Sequence, residues 1–192
     1  MRKLILLSVI LFSMLTLNSY SQKNTTPPEK YGMTLNVGGG LGYFGYVGGV
    51  LPVASLNFEF DVVKNFTLAP FIGVYSYHDL YYYRDPYLPH DDYRYYSYNV
   101  TVVPMGVKGT YYFDQLFHAG PKWDFYAAAS VGFAYSHVVW ESGYYGDRRV
   151  YKNGAPLYLD AHIGAEYHLN KKAGLFLDLS TRVSTFGLAI HF

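Results

Sequence analysis

The sequence predicts an all-β fold, an eight-stranded antiparallel up-and-down transmembrane β-barrel, on three observations. Apolar and polar residues alternate over long segments, aromatic residues make up 20% and charged residues only 15% of the chain, and an apolar leader precedes the alternating part. Strict alternation gives a strand one apolar and one polar face, as a strand between two different solvents requires. Lipid contact also accommodates many aromatic rings and few charges better than a soluble core of this size.

Residues 1–21 have the pattern of a signal peptide. Arg2 and Lys3 precede an apolar run over 4–17, and the small-x-small site Ser19-Tyr20-Ser21 stands before Gln22. The run is short for a membrane-spanning helix. We expect cleavage to lower the formal net charge from +1 to −1. A flexible periplasmic lead-in over 22–31 and one barrel domain over 32–192 should then remain, integral to the outer membrane.

Composition excludes several functions. The chain has no Cys, so it can form no disulfide, thiolate metal site or Cys nucleophile. No basic block appears, and nucleic-acid binding is therefore not expected. No pattern indicates a cofactor.

Alternation and turn residues predict eight strands, at 32–44, 52–62, 66–77, 96–113, 123–138, 155–169, 175–182 and 184–192. Long loops are expected over 78–95 and 139–154, a Gly-rich turn over 45–51, and a tight hairpin near Val183. The apolar phase changes by one residue at Pro104, which predicts a β-bulge because Pro cannot donate to the ladder. Strand one should pair with strand eight, since an open edge would leave unpaired backbone groups in lipid.

Four segments carry a resemblance to a known family: the leader junction at 19–22, the strand over 69–73, the Pro104-x-Gly-x-Lys strand followed by 111–113, and the final six residues. On these the chain resembles the small outer-membrane β-barrels of the OmpA/OmpX-like type, as found in Bacteroidota. The resemblance implies two partners, outer-membrane lipids and the barrel-assembly machinery. It also implies that the last strand carries the assembly signal, through Phe186, Leu188, Ile190 and Phe192.

An eight-stranded barrel is just wide enough inside for side chains. The inward positions include many charged residues, which need partners when buried. We expect Lys108 and Arg182 to pair with carboxylates and plug the lumen. The predicted polar network comprises Glu59, Lys108, Asp160, His162, Glu166, Asp178 and Arg182; Asp61, Asp124, His168 and His191 also face inward.

Two sequence patterns suggest chemistry in the lumen. Asp160-x-His162 and Glu166-x-His168 each place two polar residues on one strand face, and with Ser130 they could form a hydrolase triad or a metal site. Plug residues have the same spacing, so the prediction is no catalytic, cofactor-binding or metal site. Ser136-His137 is a weaker pattern, because adjacent strand residues point to opposite sides. His78-Asp79 and His90-Asp91-Asp92 are interpreted as solvated turn chemistry rather than a cation site.

Tyrosine clusters at 81–83, 93–98 and 144–145 have three interpretations. They could belong to the interfacial girdle, extend strands above the membrane, or bind an extracellular partner. The predicted function is a non-enzymatic barrel with a structural or surface-interaction role. The alternatives are a small-solute or lipid-related transport barrel, a lipid-modifying barrel enzyme, and a soluble calycin-like barrel with its apolar residues inside.

Overall fold

The computed structural model describes residues 32–44, 49–84, 93–113, 122–143 and 157–192. The predicted signal peptide, the lead-in, His90-Asp91-Asp92 and Tyr144-Tyr145 lie outside these residues. Eight strands are present: β1 Met33–Phe44, β2 Gly49–Val63, β3 Phe66–Arg84, β4 Tyr93–Tyr112, β5 Trp123–Trp140, β6 Leu157–Asn170, β7 Ala173–Ser180 and β8 Val183–His191. No α-helix long and apolar enough to span a bilayer occurs among the described residues.

The strands form a closed ring in chain order. Every neighbouring pair is antiparallel, and β8 closes the ring on β1 from Thr34↔His191 to Gly42↔Val183. This confirms the predicted pairing of the first and last strands, which satisfies the backbone groups of both edges. The hairpin near Val183 is also confirmed, because only Thr181 and Arg182 separate β7 from β8.

The two ends of the barrel differ. The terminal end carries Gly32, Phe192 and the two-residue turns after β2 and β6. In the first of these turns Asn65 has a φ of 60°, a left-handed conformation that Asn tolerates better than most residues. The opposite end, here called the loop end, carries the connections after β1, β3, β5 and β7.

Apolar side chains point outward around the whole ring. Those of β8 are typical: Phe186, Leu188 and Ile190 are 68%, 50% and 39% exposed. Inward positions carry buried polar residues, among them Thr34, Glu59 and Asp178. This arrangement is the reverse of a soluble barrel, so the calycin-like alternative is wrong. On β5 the outward apolar positions run from Trp123 to Tyr135, which spans roughly 30 Å at the usual strand rise and a tilt of about 40°.

Two expectations about strand length are corrected. The segment 78–95 is mostly strand rather than loop, because β3 and β4 remain paired from His78↔Asn99 to Arg84↔Tyr93. The predicted turn over 45–51 is shorter, since β2 begins at Gly49. Aromatic and β-branched residues favour paired strands, and this preference outweighs the polar residues that suggested a loop.

The predicted bulge at Pro104 is wrong. The β4–β5 ladder runs without a shift from Tyr98↔Trp140 to Tyr112↔Tyr126. The β3–β4 register is the same on both sides of Pro104, although no bridge forms beside it. The apolar phase changes because the interior itself changes character, from polar around Lys108 to apolar around Val100. Shifts of register lie at Asp61/Val63 and His168/Asn170 instead.

Glycines allow adjacent strands to approach closely inside the narrow barrel. Gly106 of β4 and Gly132 of β5 face each other in register. A Cβ on either one would overlap the backbone of the partner strand. The close approach of β4 and β5 at this point therefore depends on both residues lacking a side chain.

Candidate functional site

The centre of the lumen contains a cluster built around Asp178. Lys108 Nζ forms an ion pair with Asp178 Oδ2, and the Tyr126 hydroxyl donates to the same oxygen over 3.2 Å. The ammonium also lies 4.9 Å from the centre of the Tyr126 ring. His162 Nδ1 lies 2.7 Å from Asp178 Oδ1, and His162 Nε2 lies 2.8 Å from Ser130 Oγ. The lumen cluster is therefore a continuous chain from Lys108 to Ser130.

Strand register explains how the lumen cluster assembles. Lys108 of β4 stands opposite Ser130 of β5, and Ser130 stands opposite Asp160 of β6. All three point inward because inward positions recur every second residue. The triad considered for Ser130 and His162, which the sequence pattern did not favour, has the short distances of a Ser-His-Asp arrangement, with Asp178 rather than Asp160 as its acid.

A second cluster surrounds Glu59 of β2. The Thr67 hydroxyl donates to Glu59 Oε1, and so does the Tyr112 hydroxyl over 2.7 Å. Asn36 Nδ2 donates to Glu59 Oε2 over 3.3 Å. Glu59 is 6% exposed, so these donors replace the water that the carboxylate loses.

Asp160 organises the turn between β7 and β8. Its carboxylate accepts hydrogen bonds from Tyr158, Ser180 and Thr181 side chains at 2.7–3.0 Å. It also accepts from the backbone N–H of Arg182 over 3.0 Å.

The expected role of Arg182 is corrected accordingly. Arg182 lies exposed in the turn, its guanidinium is 5.7 Å from the centre of the Tyr158 ring, and only its backbone contacts Asp160. The reason is that β7 ends at Ser180, so Arg182 is not on an inward strand position.

A third cluster lies at the terminal end and joins β5, β6 and β8. His191 Nε2 and Glu166 Oε1 are 2.7 Å apart, and His168 Nε2 and Asp124 Oδ2 are 2.7 Å apart. The two imidazole rings are 5.1 Å apart. The pattern Glu166-x-His168 indicates half of this terminal cluster. The contribution of His191 depends on β8 closing the ring, which spacing along the chain does not reveal.

Among the described residues, the buried charged side chains are Lys108 and five carboxylates, Glu59, Asp124, Asp160, Glu166 and Asp178. The network is therefore strongly acidic. Hydroxyls, ring nitrogens and backbone N–H groups supply most of its partners. A cavity of about 60 Å³ remains beside Lys108, Ser130 and Tyr158, well below the volume of an ordinary ligand pocket.

An apolar cluster lies at the loop end of the lumen. Val53, Tyr75, Tyr98, Val100, Val102 and Val183 are buried there, with Trp140 and Tyr81 packed against them. Trp140 meets Tyr98 and Tyr81 at ring-centre distances of 4.9 and 5.9 Å. We call this the apolar cap. The sequence shows that the residues of β4 before Pro104 are apolar, but it does not by itself show that they point into the lumen.

In the described part of the chain, β3, β4 and β5 rise beyond the other strands as a three-stranded extension over 75–84, 93–104 and 134–140, because the pairing of β5 with described residues of β6 ends at Phe133↔Leu157. Its outer face carries polar pairs between β3 and β4, beside the exposed apolar residues Leu80 and Val139. Ser76 Oγ and Thr101 Oγ1 are 3.0 Å apart, and His78 Nδ1 and Asn99 Oδ1 are 3.1 Å apart. The residues just below, such as Val74, are apolar. On β3 the change from apolar to polar outward residues, between Val74 and Ser76, marks the boundary of the lipid-facing band.

Glu141, the residue after β5, links the end of that strand to Ser97 of β4 in the three-stranded extension. The backbone N–H and the hydroxyl of Ser97 both donate to Glu141 Oε2, over 3.0 and 2.8 Å. The backbone N–H is the larger cause, and together these bonds lower the pKa of the Glu141 carboxyl by stabilising its charged form.

Aromatic rings gather on the outside of the terminal end. Trp123 lies 5.9 Å from Phe125 and 4.9 Å from Tyr167, and Phe58 lies 6.5 Å from Phe192. Such rings suit the headgroup level of a bilayer. The residues predicted to carry the assembly signal, Phe186, Leu188, Ile190 and Phe192, all face outward. Recognition of that signal stays a prediction.

Comparison with known proteins shows similarity of fold. No family model and no curated protein matches the sequence. Neisserial surface protein A matches with a TM-score of 0.50 at 10% identity, covering 83% of this chain and 96% of that chain. A de novo designed transmembrane β-barrel matches at 0.47 and 11%, covering 85% and 98%. The Yersinia pestis outer membrane protein Ail matches at 0.44 and 8%, covering 85% and 100%.

The closed ring of eight strands, the outward apolar band and the polar interior define the class. The protein is an eight-stranded transmembrane β-barrel. Its architecture is that of the small outer-membrane barrels, of which Neisserial surface protein A is one with the same fold.

Proposed function

We propose that the protein is a non-enzymatic outer-membrane barrel with a plugged lumen, whose role is structural or surface interaction. The observation that carries this proposal is the apolar cap beneath the three-stranded extension. A capped barrel offers no water-filled path, while the extension projects a rigid wall beyond the lipid. In outer-membrane barrels the short turns and chain ends face the periplasm, so the extension would face outward from the cell.

Three layers of side chains support a plugged lumen. The Glu59 cluster, the lumen cluster and the apolar cap follow one another along the barrel axis. Buried carboxylates held by several donors are rigid, because moving the carboxylate would break several hydrogen bonds at once.

Single-channel recording in planar bilayers tests the plug. The expected result is the absence of a steady conductance from the monomer, with a known porin as the positive control. Steady large conductance would contradict the plug and favour the transport alternative.

The three-stranded extension supports a surface role. Its inner face packs in the apolar cap, which supports a fixed position for the described part of its outer face. Rigid aromatic and polar surfaces bind partners at low entropic cost. The partners proposed for the whole chain are outer-membrane lipids, the barrel-assembly machinery through Phe186 to Phe192, and an extracellular molecule at the tyrosine-rich segments.

A shortened variant tests the surface role. Tyr81 and Tyr96 stand opposite each other, so residues 82–95 can be replaced by Asn-Gly, which forms a tight hairpin. We expect this variant to keep the heat-modifiable gel migration of a folded barrel and to lose adhesion of the cells that display it. Unchanged adhesion relative to wild type, well above that of cells lacking the protein, would refute a surface role for this segment.

A second candidate function is hydrolysis of a small ester in the lumen, favoured by the Ser130–His162–Asp178 distances. Two features weigh against it: ladder pairing on both sides engages the backbone around Ser130, and the adjacent cavity is only about 60 Å³. A fluorophosphonate probe tests it, with Ser130→Ala and Ser136→Ala as matched variants. Labelling lost only in Ser130→Ala would establish an activated serine, and absence of labelling in wild type would exclude this candidate.

A further inference from the structure

The terminal cluster brings three metal-binding side chains together at the mouth of the lumen. Ligand atoms of Glu166, His168 and His191 all lie within 4.8 Å of one another. Glu166 Oε1 is 2.7 Å from His191 Nε2 and 3.7 Å from His168 Nδ1. The ligand atoms of a tetrahedral zinc site lie about 3.3 Å apart, given metal–ligand bonds of roughly 2.0–2.1 Å. Shifts of up to about 1.5 Å in the two rings would reach that geometry.

The second nitrogen of each ring is already oriented by another residue. His168 Nε2 lies 2.7 Å from Asp124 Oδ2, and since a carboxylate only accepts, Nε2 carries the proton and Nδ1 is left to face Glu166. His191 Nδ1 lies 3.0 Å from Thr34 Oγ1, with Nε2 toward Glu166. Metal-binding histidines are generally held in this way by a carboxylate or another oxygen behind the ring.

Small neighbours leave room for the three ligands. Gly174 faces His168 across the β6–β7 ladder, and a Cβ there would overlap the Glu166 carboxylate. The site is also open to ions, because the His168 and His191 side chains are 26% and 15% exposed at the terminal end while that of Glu166 is 7% exposed. A buried carboxylate beside two accessible imidazoles is a typical donor set for a divalent transition metal.

We propose that Glu166, His168 and His191 bind one first-row divalent metal ion, with Zn²⁺ as the representative, at the terminal end of the barrel. Asp124 and Thr34 hold the two rings from behind. In the bound state His191 coordinates through Nε2 and keeps its proton on Nδ1, where Thr34 Oγ1 accepts the hydrogen bond. A water from the mouth completes four-coordination. Two imidazoles favour zinc over calcium or magnesium, which prefer oxygen ligands. The site is independent of the plug and of the surface role.

Isothermal titration of the untagged, refolded barrel with Zn²⁺ in detergent tests the proposal. We expect one saturable site per chain. His168→Gln and His191→Gln should each weaken binding at least tenfold, and Thr34→Val should weaken it about tenfold by releasing the His191 ring. His137→Gln changes an exposed histidine on the three-stranded extension, outside the cluster, and should bind as wild type does. Heat-modifiable migration establishes that each variant is folded before titration.

Cobalt substitution gives a second measurement that does not depend on affinity. Co²⁺ bound to wild type should show the intense visible absorption of four-coordinate cobalt, and His168→Gln should lose it. The proposal is overturned if the wild-type barrel shows no saturable binding of Zn²⁺ to one site per chain. It is equally overturned if folded His168→Gln and His191→Gln bind as tightly as wild type, or if His137→Gln weakens binding as much as they do.

Discussion

Replacing Lys108 with Met tests whether an ion pair holds the lumen cluster together. The side chains of Lys108 and Asp178 are 10% and 4% exposed. Met retains most of the apolar stem, so the change removes the charge without opening a large cavity. Asp178 would keep its contacts with Tyr126 and His162 but lose its cationic partner.

The expected loss follows from the burial of the pair. Removing one partner of a buried ion pair costs about 3–5 kcal/mol, because the other charge remains without compensation. Two remaining hydrogen-bond partners place Lys108→Met at the lower end, about 3 kcal/mol of unfolding free energy.

Urea titration of the barrel in phospholipid vesicles, followed by tryptophan fluorescence, measures this loss. Lys64→Met is the matched control, since Lys64 is exposed in the turn after β2. The double variant Lys108→Met/Asp178→Asn removes both charges and should return to within about 1 kcal/mol of wild type. The reasoning is refuted if Lys108→Met behaves as Lys64→Met does, or if the double variant is no more stable than Lys108→Met.

Three other predictions concern the wall of the barrel. Gly106→Ala should destabilise the fold by about 1–3 kcal/mol or more, because the added Cβ overlaps the backbone of β5. Gly49→Ala, where a Cβ meets open space, should have little effect. Urea titration compares the two variants. Val131→Arg should lower the free energy of unfolding in vesicles by about 2–4 kcal/mol, because its side chain faces lipid. Ser76→Arg, at the polar pair of Ser76 and Thr101, should lower it by only about 0–1 kcal/mol. Equal losses would contradict the assigned boundary of the lipid-facing band. Glu141 has a lowered pKa in the folded protein, so its contribution to stability is present above the pKa of the unfolded chain and is lost as pH falls through the lower folded value. The Ser97 amide resonance followed by NMR should titrate below the ordinary range of a glutamate carboxyl, and Glu141→Gln should abolish that titration.

The strand faces and the order of the ring were predictable from residue types alone. A bilayer requires apolar outward positions and satisfied backbone groups, so alternation over 53–61 and a final strand of alternating apolar residues predict both. The strand ends were less predictable. Tyrosines and aspartates between 78 and 95 are compatible with loop or strand, and the pairing of β3 with β4 decides between them.

The candidate sites were predictable only in part. Inward charged residues follow from the period of two, which identifies Lys108, Glu166 and Asp178 as lumen residues. Their partners depend on which strands are neighbours and on the stagger between them. Asp178 rather than Asp160 contacts His162 Nδ1, because the Asp160 carboxylate accepts hydrogen bonds from the turn at Thr181.

The sequence by itself determined that this chain has a membrane-facing and an interior-facing surface, because the alternation of residue types is local and each strand shows it alone. Tertiary structure decided which interior groups meet. Ring closure brings His191 of the last strand to Glu166, and the three longest strands supply most of the apolar cap, which Val53 and Val183 complete. These contacts join residues far apart in the chain, and their geometry depends on strand tilt and stagger, which no single strand specifies.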